Sequence, residues 1–164
     1  MSSSAKELIE VVYNKYSNML YRLSLSHLLN REDAEDAVHD VFIKYYHSNP
    51  HFFSDEHEKA WFVRVTINQC HDIARKRKLR THAPLEEAAD VCTEMGGGEV
   101  TDLVLHLEDT YKTPILLHYY EGYSIEECAR ILRISVSAVK MRLARAREKL
   151  KIDFSDNPQG GAAL

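Results

Sequence analysis

Apolar residues in the first 80 positions recur every three or four residues, which is the spacing of amphipathic helices. The first such stripe consists of Leu8, Ile9, Val12, Tyr16, Met19, Leu20 and Leu23. Asn30 is placed to cap a second helix, whose buried stripe is predicted to be Ala34, Val38, Val41, Phe42 and Tyr45. Pro50 disfavours helix at Asn49 and ends this element. A third helix is predicted from about Glu58 to Leu79.

The helical pattern fades over residues 81–99, where Pro84 and three consecutive glycines, Gly96 to Gly98, occur. Because consecutive glycines are costly to order, this stretch is predicted to be a flexible linker. Helical spacing then resumes, Pro114 is predicted to open a helix through Tyr120, and Gly122 is placed to end it. The predicted organisation is a domain over residues 1–80, a linker over 81–99, a second domain over 100–152 and a loose tail over 153–164.

Residues 124–150 carry the pattern of a helix-turn-helix. Ser124 and Glu127 match a capping box at the start of a short helix to about Leu132. A turn at residues 133–135 leads into a longer helix, whose buried stripe is predicted to be Val136, Val139, Leu143, Ala146 and Leu150. No stretch alternates with period two, so the predicted fold class is all-α, with two small helical domains joined by the linker.

The face of this last helix opposite its buried stripe is small and basic. It consists of Ser137, Met141, Ala144, Arg145 and Glu148, flanked by Lys140, Arg142 and Lys149. Such a helix fits a DNA major groove, with Arg145 and Lys140 predicted to contact base edges. The predicted phosphate contacts are Arg142, Arg147 and Lys149. The alternative is an ordinary helical hairpin with a solvated basic face.

The net charge of −4 conceals a strong segregation along the chain. Residues 1–58 carry −5, residues 59–82 carry +6, residues 83–123 carry −8 and residues 124–151 carry +5. Two basic segments could hold a polyanion at two places, although like-charged patches are also ordinary solvated faces.

Composition excludes several other classes. No apolar run approaches the roughly 18–20 residues that span a bilayer, and the N-terminus lacks the apolar core of a signal peptide, so a cytoplasmic protein without membrane insertion is predicted. The three cysteines give no disulfide framework; Cys70 and Cys128 are expected to be buried and Cys92 exposed. No residue pattern indicates a metal site, a phosphate loop or a catalytic grouping, so neither a cofactor nor enzyme activity is predicted.

Three segments resemble a known family, in the order that the family has them. Residues 121–150 (EGYSIEECARILRISVSAVKMRLARAREKL) resemble region four of extracytoplasmic-function (ECF) sigma factors, the small promoter-specificity subunits of bacterial RNA polymerase. Residues 31–46 (REDAEDAVHDVFIKYY) resemble region 2.2, and residues 60–78 (AWFVRVTINQCHDIARKRK) resemble region 2.4. The resemblance covers roughly residues 8–151. It implies a sigma factor that directs core polymerase to promoters, melts the −10 element and recognises the −35 element.

The resemblance implies that the second helix docks on the clamp helices of the largest polymerase subunit through Asp36, His39 and Asp40. Asp36 and Asp40 lie one helical turn apart, an acidic stripe suited to a basic partner, although a solvated face is the alternative. The family commonly has glutamine where His39 stands. Contact with the flap of the second-largest subunit and control by an anti-sigma factor are also implied.

The third helix and the loop before it are implied to bind the −10 element. Phe52 and Phe53 could stack on an unstacked base, or they could pack against the helices. Asn68 matches an asparagine of the family, and Arg75 is expected to pair with Asp72, three residues earlier. The predicted phosphate-facing strip is Arg64, Arg75, Lys76, Arg77, Lys78 and Arg80.

Region four is implied to recognise the −35 element through the outer face of the last helix. The residues that match are Ser137, Lys140, Met141, Arg142, Ala144, Arg145 and Lys149. The family commonly has serine where Met141 stands, and a methionine can contact a thymine methyl instead.

Two other functions stay open. An autonomous helix-turn-helix regulator would bind duplex DNA alone and would need neither the acidic stripe nor a flexible linker. A degenerate sigma factor that titrates an anti-sigma factor would keep Asp36 and Asp40 but lose the basic faces, which are intact here.

Overall fold

The structure, a computed structural model, describes residues 3–78 and 85–155. All regular secondary structure in these two ranges is helical, which confirms the predicted all-α class. The chain divides into two units, Met1–Pro84 and Leu85–Leu164.

Within residues 3–78, the N-terminal unit consists of three helices, α1 (Ser3–Leu28), α2 (Arg31–Ser48) and α3 (Asp55–Lys78), each packed against the other two. Asn30 caps α2 as predicted, because its side-chain oxygen accepts a hydrogen bond of 2.8 Å from the backbone N–H of Asp33. After α2, Asn49 adopts a left-handed conformation (φ 43°) directly before Pro50, which cannot continue the helix. α3 begins earlier than predicted, because Ser54 Oγ caps it by accepting a hydrogen bond from His57 N–H at 3.1 Å.

Aromatic rings form the centre of this unit. The ring centroid of Phe62 on α3 lies 4.6 Å from that of Tyr16 and 5.2 Å from that of Tyr45. The other buried members of this cluster are Val12, Leu20, Val38, Val41 and Phe42. Full burial of one such side chain contributes about 1.5–3 kcal/mol. The apolar stripe of α2 is therefore fixed toward α1 and α3, and its opposite face is turned to solvent.

The C-terminal unit is also helical. Its described elements are α4 (Leu85–Glu94), α5 (Glu99–Leu105), α6 (Asp109–Ile115), a π-helical turn (Leu116–Tyr120), α7 (Ile125–Leu132) and α8 (Val136–Ser155). α8 packs against α5, α6 and α7. Its predicted stripe is confirmed by the burial of Val139, Leu143, Ala146 and Leu150, while Val136 is half-buried.

The predicted linker contains a helix. Residues 85–94 form α4, on which Val91 and Cys92 are buried, so the prediction of a flexible linker over 81–99 does not hold for this stretch. The glycines end this helix: Gly97 N–H donates a hydrogen bond of 2.8 Å to the carbonyl of Cys92, and Gly96, Gly97 and Gly98 all have positive φ. The C-terminal unit therefore begins before the predicted boundary at 100, and residues 81–84 lie outside the described residues.

Pro114 lies near the end of α6 and does not open a helix as predicted. α6 begins at Asp109, and Lys112 anchors it by donating a hydrogen bond of 3.0 Å to the carbonyl of Leu105 at the end of α5. Because Pro114 has no N–H to donate, the regular ladder is interrupted, and a π-helical turn follows. Gly122 (φ 77°) ends this segment as predicted.

α8 continues to Ser155, past its predicted end near Leu150 and into the predicted tail. Residues 156–164, the remainder of that tail, lie outside the described residues.

The cysteines correct one expectation. Cys70 and Cys128 are buried as predicted, and burial raises the pKa of the Cys128 thiol to about 11, with Glu127 adding to the effect. Cys92 is also buried, 9% exposed, although the sequence predicted exposure. Burial, reinforced by the charge of Asp102, raises the pKa of the Cys92 thiol. Both groups therefore favour the unreactive neutral thiol.

Candidate protein and nucleic-acid interfaces

One face of α2 carries the residues that the sequence assigned to polymerase binding. Asp36 and His39 are exposed, Asp40 is half-buried, and all three lie opposite the buried stripe. Ile43, 41% exposed, lies on the same face. Sequence reasoning missed Ile43, although it lies three residues after Asp40 and four after His39 and so falls off the buried stripe. Asp36, His39, Asp40 and Ile43 are called the acidic face below.

A groove between α1 and α2 adjoins the acidic face. Its lining residues are Tyr13, Ser17, Asn18 and Tyr21 on α1 and Glu35, Asp36, Val38 and His39 on α2. The ring of Tyr13, 5.0 Å from that of Phe42, packs across the boundary between the two helices. A protein bound to the acidic face would therefore also reach polar and aromatic side chains of α1.

The loop before α3 separates its two phenylalanines. Phe52 packs against the N-terminal core, with its ring centroid 5.9 Å from that of Trp61. Phe53 is 98% exposed, and its ring stacks on that of His57 at 5.5 Å and 11° between the planes. His57 Nδ1 also accepts a hydrogen bond of 3.2 Å from the backbone N–H of Phe53. Phe52 therefore packs against the core, which is the alternative that the sequence left open for it, and Phe53 presents its ring to solvent.

The solvent side of α3 carries polar and basic groups. Asn68, Arg75 and Lys76 are exposed, and Arg64 is half-buried. The predicted ion pair is confirmed, because Arg75 Nη2 lies 2.6 Å from the carboxylate of Asp72. This pair orients the guanidinium of Arg75 along the helix surface.

Arg77 differs from the expectation that it faces a phosphate. Its guanidinium donates hydrogen bonds of 2.8 Å to the carbonyl of Leu28 and 2.9 Å to the carboxylate of Asp33. Arg77 therefore ties the end of α3 to α1 and α2. The side chain of Lys78 and the whole of Arg80 lie outside the described residues.

Local hydrogen bonds fix the helix-turn-helix. Ser124 Oγ accepts a hydrogen bond from Glu127 N–H, and the Glu127 carboxylate accepts one from Ser124 N–H, both at 3.1 Å, which confirms the capping box. Arg133 makes the turn in a left-handed conformation (φ 56°). Ser135 Oγ then caps α8, accepting a hydrogen bond of 3.0 Å from Ala138 N–H. Sequence reasoning assigned Ser135 only to the turn, although serine directly before an apolar-periodic segment is an N-cap signal.

The outer face of α8 has the predicted character. Its exposed residues are Ser137, Lys140, Met141, Ala144, Arg145 and Glu148, and Met141 is 49% exposed. Two of the predicted phosphate contacts touch tyrosines of the same unit: Arg147 donates a hydrogen bond of 2.9 Å to Tyr119 Oη, and Lys149 Nζ lies 5.1 Å from the ring centroid of Tyr111. Arg142 is half-buried and Lys149 exposed. The N-terminal half of α8 is thus the part whose small and basic side chains face solvent.

In residues 3–78 and 85–155 no group of three or more His, Cys, Asp or Glu side chains could hold a metal ion. Within the same ranges no helix has the length and apolar character to cross a membrane.

These features define a class of protein. A helix-turn-helix whose second helix exposes small and basic residues is typical of DNA-binding proteins. Its combination in one chain with a three-helix unit bearing an acidic face is typical of a transcription factor that also binds a protein partner.

Sequence comparison defines the family. The family models Sigma-70 region 2 and Sigma-70, region 4 match residues 12–80 and 97–150. The RNA polymerase sigma factor CnrH of Cupriavidus metallidurans is 30% identical over 136 residues, covering 72% of this chain and 71% of that protein. The ECF RNA polymerase sigma-E factor of Haemophilus influenzae is 30% identical over 165 residues, covering 89% and 87%. The chain belongs to the ECF family of RNA polymerase sigma factors and directs RNA polymerase to promoters.

Solved structures show the same fold. CnrH in complex with the cytosolic domain of CnrY matches with a TM-score of 0.70 and 27% identity, over 93% of this chain and 90% of that chain. The sigma factor RpoE of Bartonella quintana, solved with the anti-sigma factor NepR, matches with a TM-score of 0.65 at 20% identity, over 95% and 99%.

Proposed function

We propose that the two units divide promoter recognition between them. The acidic face of α2 binds core polymerase, Phe53 and the exposed side of α3 bind the −10 element, and the outer face of α8 binds the −35 element. The observation that carries the proposal is this outer face, where small and basic side chains are exposed directly opposite a buried stripe. That is the shape and charge that a major groove accepts.

The proposed partner of the acidic face is the pair of clamp helices of the largest polymerase subunit. Asp36 and Asp40 supply negative charge to a basic surface, and Ile43 adds apolar area about one turn beyond Asp40. Charge complementarity of this kind selects the partner and its orientation. Contact between the C-terminal unit and the flap of the second-largest subunit is a further proposal, which rests on the family resemblance alone.

The proposed −10 interface is built around Phe53. The ring of Phe53 is exposed and stacks on His57, so it offers a surface for a base, and base–aromatic stacking contributes about 1–3 kcal/mol per base. Asn68 can both donate and accept hydrogen bonds, while Arg75 and Lys76 can neutralise phosphates. The proposed interface does not include Phe52, which packs against the core, or Arg77, which is hydrogen-bonded to Leu28 and Asp33.

The proposed −35 interface uses two kinds of contact. Arg145 and Lys140 contact base edges, and Met141 contacts a thymine methyl. Ser137 and Ala144 allow close approach, while Arg142 and Lys149 contact phosphates and fix the orientation of the helix.

An anti-sigma factor is the proposed regulator. The related CnrH was solved with the cytosolic domain of CnrY, and a partner of that kind would cover the acidic face or the outer face of α8. We further propose that the chain works in the cytoplasm, with core polymerase and DNA, and that it contributes binding energy to transcription initiation but no catalytic group.

Charge reversal at Asp40 tests the polymerase interface. Asp40→Lys is expected to lower retention by core polymerase in a pull-down at least about tenfold, because like charges facing each other cost several kcal/mol. The matched control is Asp55→Lys, the same charge change at an exposed position at the start of α3 that does not line the groove, which should bind as the wild type does. Circular dichroism should show unchanged helicity in both variants. Wild-type affinity in Asp40→Lys would remove the acidic face from the interface.

Run-off transcription separates the alternative functions. A sigma factor yields promoter-dependent transcripts only together with core polymerase. An autonomous regulator would bind duplex promoter DNA without core, and a titrating protein would bind core or an anti-sigma factor without yielding a transcript.

A further inference from the structure

The side chain of Gln69 on α3 forms hydrogen bonds to both Asp40 and Lys44 of α2. Its amide N–H donates a hydrogen bond of 3.0 Å to Oδ2 of Asp40, and its carbonyl oxygen accepts one of 2.6 Å from Nζ of Lys44. An amide side chain has one donor end and one acceptor end, and each end here meets the group that it suits.

Asp40 and Lys44 lie four residues apart on α2, the spacing at which opposite charges on a helix commonly pair directly. Throughout residues 3–78 no ion pair joins them, because Lys44 is bound by the carbonyl oxygen of Gln69. Asp40 is held instead by a neutral donor, through one of its two oxygens. The lysine one turn away therefore makes no direct contact with this carboxylate, and the amide of Gln69 lies between the two charges.

This arrangement has a consequence for binding. A carboxylate already paired with a lysine of its own chain would have to give up that contact before it could pair with a cationic partner. A carboxylate held by a neutral amide keeps its charge for the partner, and its orientation is fixed beforehand because hydrogen bonds to charged groups are stronger than neutral ones.

We propose that Gln69 is a positioning residue for polymerase binding. It holds Lys44 away from Asp40 and orients the Asp40 carboxylate toward a cationic surface of core polymerase. This inference rests on the proposed function of the acidic face. It adds that a side chain of α3, the helix assigned to the −10 element, determines the charge that α2 presents to the polymerase.

Gln69→Leu tests the inference, because leucine fills a similar space but offers no acceptor to Lys44. The ammonium of Lys44 is then expected to pair with Asp40, and affinity for core polymerase, measured by fluorescence anisotropy at low salt, should fall about two- to tenfold. The double variant Gln69→Leu/Lys44→Gln should recover most of this loss, to within about twofold of Lys44→Gln alone. Thermal melts of all the variants establish that each is folded.

The rescue separates positioning from a structural role. If Gln69 only packed α3 against α2, removing Lys44 would not restore affinity, so a double variant as weak as Gln69→Leu would overturn the inference. Wild-type affinity in Gln69→Leu would also overturn it.

Asp40→Asn distinguishes this failure from failure of the proposed function. Loss of core affinity in Asp40→Asn together with no loss in Gln69→Leu would discard the role of Gln69 and keep the acidic face. Unchanged affinity in Asp40→Asn would discard both.

Discussion

The exposed side chains of α8 differ in what they can distinguish in a base pair. Arg145 carries a planar guanidinium that can donate two parallel hydrogen bonds to guanine. Met141 offers only apolar contact, which suits the methyl group of thymine. Ala144, between them in sequence, leaves room for the groove floor to approach. Base preference in the proposed −35 interface should therefore depend mainly on Arg145.

Arg145→Ala should weaken holoenzyme binding to promoters that carry the preferred base at one −35 position by about 1–3 kcal/mol, because a bidentate base contact is lost. Promoters with another base at that position should lose little. Binding of the holoenzyme to a panel of single-base −35 variants, at one salt concentration, measures the difference.

Lys149→Ala is the matched control for a phosphate contact. It should weaken binding to all −35 sequences about equally and reduce the salt dependence of binding, because one counterion-releasing contact is removed. An equal loss across the whole panel in Arg145→Ala would refute base recognition by Arg145.

Contacts between residues close in sequence were the predictable ones. The cap at Asn30 and the ion pair of Asp72 with Arg75 each join groups three residues apart, so helical spacing alone indicated them. The partners of Arg77 are 49 and 44 residues away, and no local pattern distinguishes a basic residue that closes a bundle from one that faces DNA. The different surroundings of Phe52 and Phe53 depend on tertiary packing in the same way.

At the scale of elements, apolar periodicity predicted the long amphipathic helices α1, α2, α3 and α8 and the short helix α5, and the capping box predicted α7, whereas α4 and the start of α6 were not predicted. The glycines after α4 were interpreted as a linker because their conformational freedom is the same whether they end a helix or separate domains. Pro114 was placed at a helix start because that is where proline costs least. In the structure, the side chain of Lys112 is buried and donates a hydrogen bond to the carbonyl of Leu105. This contact holds the polar residues before Lys112 in place, so that α6 begins ahead of the proline.

Ser124→Ala tests the element that orients α8. Loss of the Ser124 hydroxyl should destabilise α7 by about 1 kcal/mol, because the backbone N–H of Glu127 loses its acceptor in the first turn, while the backbone N–H of residue 124 can still donate to the Glu127 carboxylate. Amide hydrogen exchange of the full chain, followed by NMR at residues of α7, should show correspondingly faster opening, while amides of α2 stay unchanged.

Ser124→Thr is the conservative control, because a threonine hydroxyl can accept the same hydrogen bond. If threonine speeds exchange as much as alanine does, the capping bond is not what stabilises α7.

At the scale of the whole molecule, charge segregation corresponded to the two units. The basic segment 59–82 falls mostly on α3, and the basic segment 124–151 forms α7 and α8, so each unit carries one basic surface. The acidic segment 83–123 is not simply a linker, because it contains α4, α5 and α6. Charge counting thus located both proposed DNA-binding surfaces but could not tell an acidic linker from acidic helices.

The central claim is that separate units of one chain recognise two separate promoter elements for the polymerase. Transcription in vitro from a library of randomised promoter DNA, with core polymerase and this chain, tests it most directly. Sequencing the 5′ ends of the transcripts should yield starts that depend on the chain and share two upstream motifs, and Arg145→Ala should alter the −35 motif alone. An absence of chain-dependent starts, or an equal change in both motifs in Arg145→Ala, would contradict the claim.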